Sequence, residues 1–398
     1  MKFLLFLLGI TFLIVIEIAR VYYIMPFPGS QETSTIELAY FLSQYIVWFR
    51  LIGIFLIAYP AFKLLTHPKD TIKWTSIMLL AFWLMVVYAF NFRFLADKMF
   101  YQPENKILTS AANNKVSDSS LVLGVVINGE AKAYPIEIIG YHHQVRDTLG
   151  GEQVMVTYCT VCRTGRVFKP EVDGEPETFR LVGMDHFNAM FEDSRTKSWW
   201  RQANGEAIIG LKKGTMLPEI PSEQMTLAAW LNRYPHSLIL QPDVKFTDQY
   251  AELEKYDEGK MEGSLEKTDS LSWQNKSWVV GVSIDKSSRA YDWNDLKSMR
   301  VINDNLGGVP VMVVLENDSA SFHVWERVVD SDTLSFSFDA SLNAIIDTQT
   351  RSIWNWEGKC IEGSYKNSSL TLIQSYQEFW HSWRTFQPNT TQYYGQEN

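Results

Sequence analysis

The stretch Asp147-Thr148-Leu149-Gly150-Gly151, followed by Val154-Met155-Val156, returns 157 residues later as Asp304-Asn305-Leu306-Gly307-Gly308 and Val311-Met312-Val313. Working outward, Gly124-Val125-Val126-Ile127 answers to Gly281-Val282-Ser283-Ile284, and Ala133-Tyr134 to Ala290-Tyr291, with no gap. Further along, the offset slips by a few residues, as surface loops allow. Asn188-Ala189 matches Asn343-Ala344, and Thr196, Ser198 and Trp200 match Thr350, Ser352 and Trp354. Gly205 and Gly210 match Gly358 and Gly363, and Trp230 and Pro235 match Trp383 and Pro388. A correspondence over about 115 residues reads as an internal repeat. It predicts two related domains, 101–245 and 272–398, joined by a charged linker at 246–271. Within that linker, Glu252–Ser270 is dense in Glu, Asp and Lys and reads as solvated.

Each unit reads as mostly strand. Val122–Ile127 and Lys132–Pro135 flank Asn128-Gly129, a hairpin signal. Val154–Tyr158 and Arg166–Lys169 flank the segment Cys159–Gly165. Thr178–Val182 and Ala207–Ile209 add strands, Ile136–Ile139 reads as one helical turn, and Leu227–Tyr234 as a short helix. The body is therefore expected to be α+β, dominated by antiparallel sheet. Repeated glycines read as turn positions with positive φ, and the repeated tryptophans as core anchors.

Ahead of this body lies a different kind of sequence. Residues 1–100 carry eight Lys/Arg and five Asp/Glu, while the remainder carries 28 and 40. Three apolar runs, 3–24, 38–65 and 74–95, each reach the roughly 20 residues that span a bilayer core as helix. The first has too long an apolar stretch, and no cleavage site before Pro26 and Pro28, to be a removable signal. Lys63, Lys69 and Lys73 in the second loop place that loop inside by the positive-inside rule, so the body is expected outside. In a bacterium this means an inner-membrane anchor with a periplasmic or extracellular body. Glu17, Arg20 and Arg50 fall inside apolar runs. Glu17 and Arg20, near a helix end, read as snorkelling, and Arg50 as a partner for Glu17.

Composition excludes several classes. Of the 398 residues 46% are hydrophobic and 20% charged, which is incompatible with a disordered chain. Three cysteines rule out a disulfide scaffold, and the acidic balance of −9 argues against nucleic-acid binding. The expected partners are the lipid bilayer and another envelope protein.

Chemistry concentrates where the two units differ. Cys159-Thr160-Val161-Cys162 stands opposite Glu316 and Ser319; His142-His143 stands opposite Met299 and Arg300; His186 stands opposite Ser341. Cys360, opposite Ala207, reads as a small buried residue. Two thiols and three imidazoles lost together suggest one site. Soft thiolate with imidazole suits copper, and then zinc. The ligand set expected is Cys159, Cys162, His143 and His186, with His142, Met184, Met190 and Asp185 as accessories. His142-His143 reads as strand, one side chain in and the other out. The same Cys-x-x-Cys also fits a dithiol redox pair or a structural pair in an interaction module. Enzymatic activity is left open.

Tyr141-His142-His143, Asp147–Gly151 and Val156-Thr157-Tyr158-Cys159-Thr160-Val161-Cys162 resemble the bacterial domain of unknown function 3179 family. Thr196–Trp200, Gly205–Gly210, Trp230 with Tyr234-Pro235-His236, and the aromatic segment Phe379–Pro388 extend the resemblance over most of the body, though not the apolar head. The family pattern has Pro after the first cysteine and Gly after the second; here Thr160 and Arg163 stand there. The resemblance implies a domain type and no activity.

Overall fold

The computed structural model describes residues 1–395. By spatial packing they form two compact units. One is Met1–Tyr101 with Glu177–Arg201 and Glu206–Met216; the other is Gln102–Pro176 with Gln202–Gly205 and the chain from Leu217 on. These units cut across the boundaries read from the repeat.

In the first unit, helices α1 (Lys2–Tyr22), α2 (Ile36–Leu65) and α3 (Asp70–Phe92) are long and apolar enough to cross a membrane. Helices α1 and α2 approach closely because glycines face large side chains. A Cβ on Gly9 would lie 2.3 Å from Ile57, and one on Gly53 2.4 Å from Leu13. Small residues at the contact are how helices associate where water supplies no driving force.

The charges do not snorkel. Glu17 is fully buried and accepts from Arg50 Nη2 at 2.8 Å and Asn91 Nδ2 at 3.0 Å. Arg20, 9% exposed, and Arg50 both donate to Asn91 Oδ1 at 2.7 Å. With three helices contributing, mutual pairing satisfies groups that would otherwise need the interface. A four-stranded antiparallel sheet completes the unit: Phe179–Asp185, Asn188–Asp193, Trp199–Arg201 and Ala207–Ile209. Met184 N–H donates to Ile24 O at 2.7 Å, tying this sheet to the chain after α1.

The second unit is β-rich. Strand Leu121–Ile127 pairs antiparallel with Glu130–Pro135 on one side and Glu223–Thr226 on the other. Trp278–Ile284 pairs the same way with Ser287–Asp292 and Ser375–Phe379. Hairpins Glu152–Cys159/Thr164–Phe168 and Val309–Leu315/Phe322–Glu326 follow, one in each half. Short helices Ile136–His142, Leu227–Arg233, Trp293–Met299 and Trp380–Phe386 punctuate the sheets. The fold is thus α+β, with N-terminal helices and several mostly antiparallel sheets.

Two strand glycines are not turn residues. A Cβ on Gly124 would lie 2.1 Å from the Trp230 ring, and one on Gly281 2.3 Å from the Trp383 ring. Each glycine makes room for an indole laid flat on the strand. The acidic stretch 252–270 is not wholly solvated either: Tyr256 is 1% exposed and forms part of the core.

Candidate functional site

Cys159 is the last residue of strand Glu152–Cys159, and Cys162 is the third residue of the four-residue turn before Thr164–Phe168. Alternation along the strand and a tight turn bring both thiols to one hairpin tip; both are buried. Arg163 closes the turn at φ 54°, a left-handed conformation that favours glycine. Its side chain explains how arginine is held there. The guanidinium lies 3.7 Å from the Trp278 ring centroid and 4.9 Å from that of Tyr256. It donates to Gln377 Oε1, Tyr256 O and Asp257 O at 2.9–3.0 Å. Such contacts offset a backbone cost of about 1–3 kcal/mol.

The tip is clasped by residues distant in sequence. Lys276 Nζ donates to Val161 O at 2.7 Å, and His381 Nε2 donates to the same oxygen at 3.2 Å. Phe379 N–H donates to Cys162 O at 2.9 Å, and the Tyr256 hydroxyl to Thr160 O at 2.8 Å. Burial lowers the Lys276 pKa, and the neighbouring Cys162 and Cys159 thiols act against that shift. Burial, helped by the Lys276 charge, pushes His381 down to about 3, so its ring is neutral. Lys276 and His381 were missed by sequence reasoning. The available signal for His381 was its place opposite Ala228 inside Trp380-His381-Ser382-Trp383.

His142 and His143 are not on a strand. His142 ends helix Ile136–His142 and His143 caps it at φ 58°, so strand alternation does not apply and both are buried. His142 Nε2 lies 2.7 Å from the Tyr250 hydroxyl. Burial pushes His143 down to about 4, and its carbonyl accepts from Tyr158 N–H at 3.1 Å, beside Cys159 in sequence.

His186, Asp185, Met184 and Met190 belong to the other compact unit, on hairpin Phe179–Asp185/Asn188–Asp193. His186 Nδ1 lies 2.7 Å from Asp185 Oδ1, and Arg201 Nη2 donates to Asp185 Oδ2 at 2.7 Å. The hydrogen bond to Asp185 raises the His186 pKa. Met184 and Met190 are buried in packing. Among the described residues, no group of three or more His, Cys, Asp or Glu side chains is arranged to hold a metal ion.

A family model described as "Protein of unknown function (DUF3179)" matches residues 102–390. The chain belongs to this family. Comparison with curated proteins and with solved structures finds no match. The family's residues take in the cysteine hairpin, the Lys276 strand lead-in and the His381 helix, and leave out α1–α3.

Proposed function

We propose that this DUF3179 protein is a membrane-anchored dithiol oxidoreductase, with Cys159 and Cys162 as the redox pair. The observation that carries the reading is the hairpin tip itself: two buried thiols at one turn, with the Lys276 ammonium donating to Val161 O, between them in sequence, at 2.7 Å. A nearby cation favours thiolate, the nucleophilic form. The Cys162 thiolate attacks one sulfur of a substrate disulfide, forming a mixed disulfide and releasing the other sulfur as thiolate. Cys159 then attacks Cys162, forming the Cys159–Cys162 bond and releasing the second substrate thiol. The two protons leave the protein thiols for the substrate, which is reduced as the protein is oxidised. Burial of both sulfur atoms favours a small disulfide, or exchange on release of the Lys276, His381 and Phe379 contacts.

The helices anchor the body on the outer face of a membrane, where the lysine-rich second loop stays inside. We take the two halves as related copies. In support, Leu227 N–H to Ser120 O and Ala228 N–H to Asp118 O recur as Trp380 N–H to Ser277 O and His381 N–H to Asn275 O, all at 2.9 Å. A copper or zinc ion is the second reading, favoured by the paired thiols on one turn.

The test equilibrates the full chain in detergent with glutathione buffers, then alkylates and weighs it. A two-electron transition of Cys159 and Cys162 is expected between about −180 and −270 mV, the range of exchanging dithiols. It is lost in Cys162→Ser. A bridge that survives below about −300 mV would mark a structural disulfide and sink the reading. About one equivalent of copper or zinc by elemental mass spectrometry, lost in Cys159→Ser, would replace it with the metal reading.

A further inference from the structure

Cys159 and Cys162 are both 0% exposed, and a mixed disulfide cannot form on a sulfur that nothing reaches. Something covering the turn must move. The hairpin itself does not impose the burial. In the second half, Asn317, Asp318 and Ser319 of the equivalent turn are exposed, whereas Thr160, Val161 and Cys162 are buried. Cover of the first turn comes from Lys276, Phe379 and His381, and from the stretch 252–269.

These covers differ in how firmly they are built in. Phe379 ends strand Ser375–Phe379, which pairs with Trp278–Ile284 at five residue positions, so lifting it would break a sheet. His381 sits in the helix that follows, and Lys276 stands two residues before Trp278. By contrast, 252–269 runs entirely in turns and irregular backbone. Its amides donate within local turns, as from Tyr256 to Leu253 O at 2.8 Å and from Gly259 to Tyr256 O at 2.9 Å. Among the described residues of this stretch, Tyr256 alone is buried. It plugs the turn. Its hydroxyl donates to Thr160 O at 2.8 Å, and its ring stands edge-on to Tyr158 with 6.0 Å between centroids. Arg163 of the turn donates to Tyr256 O and to Asp257 O, each at 3.0 Å. Lys276, which holds Val161 O, also holds Leu265 O at 2.6 Å. A segment with one buried side chain, fastened by side chains rather than by a sheet ladder, opens locally at a cost well below that of global unfolding.

We infer that residues 252–269 form a lid over the cysteine turn, with Tyr256 as its plug, and that Cys159 and Cys162 react when this lid lifts while the sheets stay folded. The inference rests on the dithiol reading for the purpose of the lid. A closed lid shields the reduced pair from indiscriminate oxidation. It also lets opening, rather than thiol chemistry alone, set the rate of exchange.

The test reduces the full chain in detergent and follows N-ethylmaleimide labelling of each cysteine by peptide mass spectrometry, at urea concentrations below the unfolding transition. Cys360, buried in a different core cluster, is the internal reference. Cys159 and Cys162 are expected to label about tenfold faster than Cys360 or more, with little dependence on urea, because local opening exposes little surface. Tyr256→Phe deletes the bond to Thr160 O and keeps the ring. It should speed labelling of Cys159 and Cys162, and hydrogen exchange over 252–269, about fivefold, and leave Cys360 unchanged. Labelling of all three cysteines together, with the steep urea dependence of global unfolding, would overturn the lid. Labelling of Cys159 and Cys162 as fast as an unstructured cysteine peptide would overturn it too, as would an unchanged rate in Tyr256→Phe. Labelling needs only reduced thiols, so these outcomes are read apart from the glutathione potential. A structural disulfide would end the dithiol reading and leave the lid measurable, and a failed lid would leave the potential as measured.

Discussion

The hairpins 152–168 and 309–326 lie 157 residues apart and carry different side chains on similar strand pairings. Both have strands in equivalent register: Tyr158 pairs with Gly165 as Leu315 pairs with Phe322. Both take a hydrogen bond from the strand to a preceding left-handed residue, Tyr158 N–H to His143 O at 3.1 Å and Leu315 N–H to Arg300 O at 3.0 Å. At the tip, the first presents thiols and the second presents Glu316 and Ser319. Beyond the tip, Arg166 of the first meets Glu378 at 2.8 Å and stacks on Tyr376. Its counterpart His323 sits between Glu316, at 2.7 Å, and Glu223, at 3.4 Å. Framework and chemistry are thus separable within one chain. Glycine–tryptophan cradles, backbone hydrogen bonds and the aspartates that accept from Tyr134/Tyr291 and from Trp200/Trp354 recur, whereas the thiols of Cys159 and Cys162, the imidazoles of His142 and His143, and the side chains of Lys276 and His381 do not.

The strongest way to break this comparison is to attack the shared framework in each half. Trp230 and Trp383 are each 1% exposed and rest on Gly124 and Gly281. Trp230→Ala and Trp383→Ala should each cost about 3–5 kcal/mol, the usual cost of emptying a core tryptophan site. Urea unfolding of the full chain checks this. If one variant lost most of that stability and the other almost none, the two cradles would not be the same structural device.

A second contrast lies in pH. His143 and His381 have folded pKa values pushed below the usual 6.5, to about 4 and about 3, by burial. Their contribution to stability is present above pH 6.5 and is lost as pH falls toward 4. For His323, burial is opposed and outweighed by its bonds to Glu223 and Glu316, which lift it to about 9. That contribution is complete below pH 6.5 and is lost as pH rises through about 9. Hydrogen exchange read by mass spectrometry should therefore show the cysteine hairpin opening first in mild acid and the 309–326 hairpin first in mild alkali, by about tenfold or more in corrected rate. Equal protection of both hairpins at both extremes would remove the electrostatic half of the comparison.

How much of this was legible beforehand follows from range. Apolar length alone marks α1–α3, and the strands on either side of Cys159–Gly165 follow from β-type residues around a turn. The imidazoles misled because His142-His143 follows Ile136–Ile139, and a period-two reading cannot see that the helix runs on to His142. The Arg50–Glu17 pair is as read from the sequence, but Arg20 misled because snorkelling is judged one helix at a time, whereas Asn91, which it meets, arrives from another helix. Tyr256 was hidden by its charged neighbours. Lys276 and His381 were out of reach for a plainer reason: they meet Val161 O from 115 and 220 residues away, and no local pattern encodes that meeting.

The finest test concerns Lys276, because it separates a clasp from an electrostatic partner. Its ammonium touches Val161 O and Leu265 O and acts on both thiols. If its role is electrostatic, Lys276→Met removes charge that favours thiolate, destabilises the reduced pair and makes the midpoint potential more negative. A tenfold change in the exchange constant corresponds to about 30 mV for two electrons, and a shift of that order is expected. The counterpart change Ser119→Met, next to a turn with no thiol, should leave the potential where it was. A potential unmoved by Lys276→Met, with unfolding made easier, would reduce Lys276 to a strut for the turn. The chemical difference between the halves would then rest on the cysteines alone.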